Sequence, residues 1–310
     1  MSIFISIASY RDPDLLNTVK SAWNNAAYNK SLFFSIVSQA EESEHPDLSF
    51  IPKNQIRYTK VHWKESFGAC WAREIASRDI NRYYFLQIDS HTRFKKDWDL
   101  TAIKSYIVCQ NYCWGRNIVM SNYPPSYTID WEKNEDLLVN WDKKFKLRAE
   151  WDEGSRMIQA RWEECEFDDL GHESFFVSAN NLFCEARFIR LVPYDKELYF
   201  TGEEPSLALR FYTRGIKIIN TPIDFLHTNY DRDNGRRNFH WVDSTTWGEL
   251  NRLSYKKLAK IMTGDLSLGV YGIGSIELFK EYQERTGIDL ESKKSIIDPV
   301  FEPSVEHIKE

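Results

Sequence analysis

Short apolar runs alternate with stretches of helical periodicity along most of the chain. Three nearly continuous apolar runs predict buried strands, at residues 3–8, 32–37 and 84–88, and residues 56–61 are a candidate for a further strand. Apolar residues at helical spacing predict helices between them, after Pro13, over 68–77 and over 97–109. Asp12 and Pro13 are the residue types of an N-cap and a first helical position. This β-α-β alternation predicts an α/β fold whose mostly parallel sheet is flanked by helices.

The pattern changes in the middle of the chain and returns near residue 173. Residues 121–172 are charged and rich in tryptophan, and we expect an irregular segment that serves as a lid or acceptor element. Later runs predict a strand pair, a helix, a strand and a last helix, at residues 173–183, 204–215, 216–219 and 276–285. We expect one domain and a polar tail, at residues 1–290 and 291–310, with the domain divided into 1–120, 121–172 and 173–290.

The composition is that of an ordinary globular protein, with 42% hydrophobic and 28% charged residues. A net charge of -6 argues against nucleic acid as the main partner, because phosphate binding needs a basic surface. The five cysteines follow no disulfide or zinc spacing, which predicts reduced thiols. No apolar run approaches the roughly 20 residues of a membrane span, and the N-terminus lacks a signal sequence. We therefore expect a cytoplasmic protein with no membrane span.

Asp89 and His91 directly follow the apolar run at 84–88. Ligands of open α/β sheets bind just beyond the carboxyl ends of the strands, where such a pair can hold one divalent cation. Either residue alone is more simply a turn cap or a surface histidine, whereas together they indicate a metal or sugar site. His227 follows a second apolar run and is a candidate third ligand. Two imidazoles and a carboxylate suit Mn²⁺, Zn²⁺ or Fe²⁺.

Two metal chemistries are compatible with these residues. Iron oxygenases use two histidines and a carboxylate, but they carry them on an antiparallel barrel, which the β-α-β pattern disfavours. The alternative is transfer from a nucleotide diphosphate, with a cation that stabilises the leaving group. Ser9, Tyr10 and Arg11 end the first predicted strand, where a nucleotide would bind, and Arg73 could contribute a cation near the phosphates.

Glu203 and Glu204 follow Gly202 at a predicted helix start. One interpretation is favourable negative charge at a helix N-terminus. The other is hydrogen bonding to sugar hydroxyls or to an acceptor, and we expect the two carboxylates to divide these roles.

Six segments together resemble a known enzyme family, at residues 3–12, 68–73, 86–91, 192–195, 199–204 and 272–275. The chain resembles the GT-A glycosyltransferases that add N-acetylglucosamine, a group typified by the enzyme that modifies hydroxyproline in the ubiquitin-ligase subunit Skp1. Its Asp-Ser-His sequence is also similar to the metal motif of the polypeptide N-acetylgalactosaminyltransferases. The six segments occur in the family's order and span most of the chain.

The resemblance implies a GT-A fold, a Rossmann-like sheet flanked by helices, and transfer with retention from a UDP-sugar, with UDP-GlcNAc favoured. It implies Mn²⁺ or another divalent cation held by Asp89, His91 and His227. It further implies donor contacts from Ser9, Tyr10, Arg11, Arg73, Asp89 and Ser90, and catalytic roles for Arg73, Glu203 and Glu204. The acceptor, a protein or a glycan, stays open because 121–172 matches no segment of the family, and the departure of 178–183 from the family's pattern leaves the donor sugar open. A UDP-sugar-binding module without transfer activity is the alternative function.

Overall fold

The computed structural model describes residues 2–111, 115–130, 132–133, 135–138, 144–165, 171–221, 223–231 and 237–294. The strands of this part of the chain are β1 (Ile3–Tyr10), β2 (Leu32–Ala40), β3 (Ile56–His62), β4 (Tyr84–Asp89), β5 (Thr92–Phe94), β6 (Ile118–Ser121), β7 (Tyr127–Asp130), β8 (Glu135–Leu138), β9 (Lys144–Asp152), β10 (Met157–Cys165), β11 (His172–Ser174), β12 (Asn181–Glu185), β13 (Lys217–Asn220) and β14 (Leu226–Thr228). The helices are α1 (Leu15–Asn25), α2 (Ala69–Ala76), α3 (Trp98–Cys109), α4 (Ala186–Leu191), α5 (Glu203–Tyr212), α6 (His240–Asp243), α7 (Trp247–Met262) and α8 (Ile276–Thr286).

Eight strands form one sheet in the order β11-β13-β6-β12-β4-β1-β2-β3. Strands β3, β2, β1 and β4 are parallel neighbours, and β6 and β13 run in the same direction. Only β12 and β11 within this sheet run against the others. β1 is buried over nearly its whole length, which explains its continuous apolar sequence. The expected α/β class with a mostly parallel sheet is confirmed.

The second half of the chain differs from the sequence-based expectation in two ways. The strands predicted over 173–183 exist, but they do not pair with each other: β11 pairs with β13, and β12 lies between β4 and β6. The apolar pattern identifies a strand but not its partner. The described parts of 121–172 contain two antiparallel strand pairs, β7–β8 and β9–β10, and are therefore more regular than expected. Most of the expected polar tail, residues 295–310, lies outside the described residues.

The helix predicted after Pro13 begins later, and Asp12 does not cap it. Helix α1 starts at Leu15, with Asp14 at the N-cap position. Asp12 accepts a hydrogen bond from the backbone N–H of Asp14 (2.9 Å), while its other carboxylate oxygen contacts Ser90 and His91. The N-cap prediction for Asp12 is therefore wrong: its Oδ1 atom closes a turn onto Asp14 ahead of the helix, and its Oδ2 atom bonds to distant residues.

None of the helices in the described ranges combines the length and the apolar character that crossing a membrane requires. The cytoplasmic location stays a prediction.

A buried ion pair joins β5, α1 and the β7–β8 pair. Arg93 donates to both carboxylate oxygens of Asp14 (2.7 and 2.8 Å) and to the Asp136 carboxylate (2.6 and 3.0 Å). Tyr127 donates its hydroxyl proton to Asp14 (2.5 Å). Asp14 and Arg93 have side chains that are 3% and 9% exposed, so their charges depend on each other for compensation.

We expect Arg93→Met to lower the free energy of unfolding by about 3–5 kcal/mol, because it leaves the Asp14 carboxylate buried without its cation. Urea unfolding followed by circular dichroism measures this loss. Arg148→Ala is the control, since it removes an exposed ion pair with Glu163 and should change the free energy by less than about 1 kcal/mol. Equal losses in the two variants would contradict the role given to the buried pair.

Candidate functional site

Strands β1 and β4 are parallel neighbours, so their carboxyl ends meet at one edge of the sheet. A cavity of about 200 Å³ lies at this edge. Its walls include residues from the strand ends and α2, namely Tyr10, Asp12, Arg73, Asp89, Ser90 and His91, and residues from later in the chain, namely Tyr199, Phe200, Arg237, Asn238, Phe239, His240 and Trp241. This is the position at which open α/β sheets bind ligands.

Asp12, Asp89 and His91 form a compact charged group in the cavity wall. The Nδ1 atom of His91 is 2.7 Å from Oδ2 of Asp12, and its Nε2 atom is 3.4 Å from Oδ2 of Asp89. Burial opposes charge on His91, but the two carboxylates outweigh burial and raise its pKa. Burial likewise opposes charge on Asp12, yet the hydrogen bond from His91 lowers the pKa of Asp12 to about 2.

The donor atoms of Asp89 and His91 suit a shared divalent cation. Nε2 of His91 and Oδ2 of Asp89 are 3.4 Å apart, close enough for both to bind one ion. Oxygen and imidazole nitrogen are also ligand types that Mn²⁺ accepts. Within the described ranges, however, no three His, Cys, Asp or Glu side chains are grouped as a complete metal site. The pair therefore fits a cation whose further ligands come from elsewhere, for example from a diphosphate.

His227 lies beside this pair but not in contact with it. Strand pairing places His227 opposite Arg93, and the next cross-strand bond joins the N–H of Asn229 to the carbonyl of His91 (3.0 Å). The His227 side chain is buried, and its Nε2 atom has no hydrogen-bond partner among the described residues. Burial, followed by the charge of Lys95, lowers the pKa of His227, which keeps the imidazole neutral and able to bind a metal.

Arg73 connects the metal-binding edge to the start of α5. Its guanidinium donates to Oδ1 of Asp89 (2.8 Å) and to the carbonyl of Ala179 (2.6 Å). Its Nε atom is 3.2 Å from Oε1 of the buried Glu203. Helix α2 can bring Arg73 here because its N-cap residue is Gly68, where a Cβ atom would lie 2.5 Å from the Tyr199 ring. The side chain is therefore fixed by three separate partners.

Glu203 and Glu204 occupy the first turn of α5 and face different partners. Glu203 contacts Arg73, whereas Oε1 of Glu204 accepts the backbone N–H of Ala179 (2.8 Å). Burial raises the pKa of Glu203, and it raises the pKa of Glu204 to about 7. Neither carboxylate belongs to the described lining of the cavity.

The first-strand residues contribute unequally to the cavity. Tyr10 lines it, whereas Ser9 is buried and its carbonyl accepts a hydrogen bond from Gln39 (3.1 Å). Arg11 pairs with Glu44 (2.9 Å) and Asp243 (3.1 Å), and it is not part of the described lining. Tyr10 also donates to Asp243 (3.1 Å). Ser9 and Arg11 thus lie outside the cavity lining and contact the residues around it. Ser90 does line the cavity, and its hydroxyl donates to Asp12 (2.7 Å).

Residues 237–243, which we call the strap, had no role assigned from the sequence, and residues 237–241 of the strap line the cavity. His240 in the strap bonds through Nδ1 to the Tyr199 hydroxyl (2.7 Å) and through Nε2 to the Ser66 carbonyl (3.1 Å). Arg237 lies close enough that its charge acts on Asp12, Asp89 and His91. The aromatic sequence Phe-His-Trp at 239–241 was the only local indication of a binding segment. It did not predict the contacts, because the residues that it meets are distant in the sequence.

Glu204→Gln should stabilise the metal-free protein at high pH. A carboxyl whose pKa rises from 4.5 in the unfolded chain to about 7 in the folded protein loses stability as the pH rises through that window. We expect equal stabilities below pH 4.5 and an advantage for the variant above pH 7, on the order of 3 kcal/mol. Glutamine keeps the acceptor for Ala179. Urea unfolding across this pH range measures the difference, and a pH-independent difference would contradict it.

Comparison with solved structures identifies the fold. The chain is similar to GalNAc-T7, described in a crystal structure with UDP, GalNAc and Mn²⁺: the TM-score is 0.57 at 13% identity, and the match covers 93% of this chain and 54% of that one. It is also similar to S. aureus TarS, with a TM-score of 0.54 at 10% identity over 92% of this chain and 43% of that one. The chain thus spans about half the length of these two relatives. At such identities the likeness shows the GT-A fold, as expected from the sequence.

A third similar structure is S. aureus TarS 1-349 in complex with UDP-GlcNAc, with a TM-score of 0.51 at 12% identity. That match covers 96% of this chain and 76% of the other. The search of curated proteins finds no matching relative. The family model for glycosyltransferase (GlcNAc) matches residues 2–52 and 48–292, which is most of the chain. The resemblance seen in the six sequence segments is confirmed, and the chain belongs to the GlcNAc glycosyltransferase family.

Proposed function

We propose that this chain transfers N-acetylglucosamine, with retention, from UDP-GlcNAc to a hydroxyl group of a protein or glycan acceptor. The observation that carries the proposal is the Asp89–His91 pair, which faces a cavity at the carboxyl ends of β1 and β4. The family supports the reaction class, and the complex of TarS 1-349 with UDP-GlcNAc supports the donor. The structure of GalNAc-T7 with Mn²⁺ supports a divalent cation.

Asp89 and His91 are the proposed metal ligands, and His227 is the proposed third protein ligand. The buried, unpartnered Nε2 atom of His227 supports this choice, although a local shift must bring it to the pair. When bound, a divalent cation would stabilise the charge that develops on the diphosphate leaving group. Arg237 places a positive charge near Asp89 and His91, in addition to that of the cation. This charge would help to hold the diphosphate of the donor.

We assign to Arg73, Glu203 and Glu204 the role of fixing the groups around the proposed donor site. Arg73 fixes one oxygen of Asp89 and leaves the other directed toward His91. Glu203 compensates the charge of the buried Arg73, and Glu204 fixes the Ala179 peptide. Because both glutamates are held in this way behind the cavity, attack from the leaving-group side of the donor is favoured over a glutamate nucleophile.

The two alternative functions differ in what they require. An iron oxygenase would need an antiparallel barrel, whereas the chain has an open and mostly parallel sheet. A UDP-sugar-binding module would bind the same donor and leave it intact. Donor turnover therefore separates the proposed enzyme from the binding module.

We expect Asp89→Asn and His91→Ala to lower Mn²⁺-dependent UDP release from UDP-GlcNAc at least about 100-fold, and EDTA to abolish it. Loss of a direct ligand should exceed the 10–100-fold loss that accompanies removal of an outer partner. A coupled assay for UDP measures the rate, and mass spectrometry of acceptors from the source cells identifies the product. The control is Asp79→Asn, which alters an exposed carboxylate paired with Arg57.

Normal turnover in EDTA, or in either ligand variant, would overturn the metal-dependent mechanism. UDP-GlcNAc binding without UDP release or transfer, with every acceptor offered, would instead support the binding module. Faster turnover of UDP-GalNAc than of UDP-GlcNAc would overturn only the choice of donor sugar.

A further inference from the structure

We propose that Asp12 is a positioning residue that fixes the orientation and tautomer of His91, so that the Nε2 atom of His91 faces Asp89 as an unprotonated ligand. This inference rests on the proposed function, because it concerns the proposed metal pair. Asp12 does not need to touch the donor for this role. It acts through a single imidazole ring.

The hydrogen bonds of Asp12 define its effect on His91. Its Oδ2 atom accepts from Nδ1 of His91 (2.7 Å) and from the Ser90 hydroxyl (2.7 Å), and its Oδ1 atom accepts the N–H of Asp14 (2.9 Å). An ionised carboxylate can only accept, and the contact of Nδ1 with Asp12 is much shorter than that of Nε2 with Asp89, which favours the Nδ1–H form of a neutral His91 ring. The remaining nitrogen, Nε2, then carries a lone pair and lies 3.4 Å from Asp89 Oδ2.

A carboxylate that accepts a hydrogen bond from a metal-binding imidazole affects the ring in two ways. It fixes the ring orientation and raises the basicity of the nitrogen that binds the metal. Without Asp12, the nearest acceptor for a ring proton would be Asp89, which lies on the Nε2 side. The ring would then place its proton on the very nitrogen that a metal needs. Asp12 therefore decides between a ligating and a blocked imidazole.

The backbone before Asp12 is held in an unusual conformation. Arg11 has a φ of +46°, in the left-handed region that residues other than glycine seldom adopt. Its N–H bonds to the carbonyl of Gln39 (2.9 Å), and its side chain pairs with Glu44 and Asp243. These contacts stabilise a turn that directs Asp12 toward the end of β4. Strained backbone of this kind is concentrated at functional sites.

Asp99 provides a contrast and a matched control. Its side chain is also a buried carboxylate, but its two oxygens accept the backbone N–H groups of Ala27 (2.8 Å) and Tyr28 (2.9 Å). It touches no ionisable side chain in these bonds and serves local structure. Replacing Asp99 by Asn therefore tests what the loss of a buried carboxylate does to the protein in general.

The first measurement is the tautomer of His91 in the full-length, metal-free protein. Nitrogen-15 NMR of the imidazole distinguishes the Nδ1–H form from the Nε2–H form, with the pH raised until the ring signals stop changing and the ring is neutral. We expect the Nδ1–H form in the wild type and in Asp99→Asn. Asp12→Ala should change His91 to the Nε2–H form. Asp12→Asn should keep the Nδ1–H form, because its amide oxygen still accepts.

The second measurement is the affinity for Mn²⁺ alone, with no UDP-sugar present, from electron paramagnetic resonance titration. We expect the Kd to rise about 10–100-fold in Asp12→Ala, as for other partners of metal-bound histidines. A smaller rise is expected in Asp12→Asn, and the wild-type Kd in Asp99→Asn. Asp12→Asn also keeps the test decisive if Asp12→Ala does not fold.

Two results would overturn the proposal: an unchanged tautomer in Asp12→Ala, or a Kd in Asp99→Asn raised as much as in the Asp12 variants. A wild-type protein that binds no Mn²⁺ would contradict the metal in the proposed function. In that case the tautomer measurement still decides whether Asp12 controls His91. The two failures are thus distinguishable.

Discussion

The candidate site depends on a row of contacting side chains whose charges alternate; Glu203, Arg73 and Asp12 are buried, whereas Asp89 and His91 are partly exposed to the cavity. Glu203, Arg73, Asp89, His91 and Asp12 follow one another, each within 3.4 Å of the next. An isolated buried charge costs several kcal/mol, so each member is tolerated because its neighbours have the opposite sign. The row therefore requires the ends of β1 and β4 and the starts of α2 and α5 to meet at one place. The parallel arrangement of the central strands satisfies this requirement.

Local sequence patterns predicted the elements that carry the site better than they predicted its contacts. The strands that contain or precede Tyr10 and Asp89 are continuous apolar runs, because both faces of these strands are covered. The position of Asp89 and His91 at a strand end followed from that pattern alone. The pattern did not predict that Ser9 and Arg11 lie outside the cavity lining. A residue at a strand end can face the cavity or the side chains packed behind it. Only the fold decides between these two positions.

Asp12 illustrates why the rest was not predictable. Aspartate before proline is typical of a helix N-terminus, and nothing local distinguishes a cap from a partner of a distant histidine. The deciding contacts lie 78 and 79 positions away in the chain. The same limit applies to the strap, whose His240 meets Ser66 across 174 positions. Hydrophobic periodicity carries no information at that range.

The position of β12 has a consequence for how the chain reaches its folded state. β12 is the antiparallel strand that separates β4 from β6, so β6 has no partner in the sheet until residues 181–185 or 217–220 are present. The sheet must therefore be completed by pairings between segments far apart in sequence, which slows folding. During synthesis on the ribosome, β1 to β4 can associate early, whereas the backbone hydrogen-bonding groups of β6 stay unpaired until β12 or β13 has been made. Residues 1–120, predicted from the sequence as one part of the domain, are thus not a unit of folding.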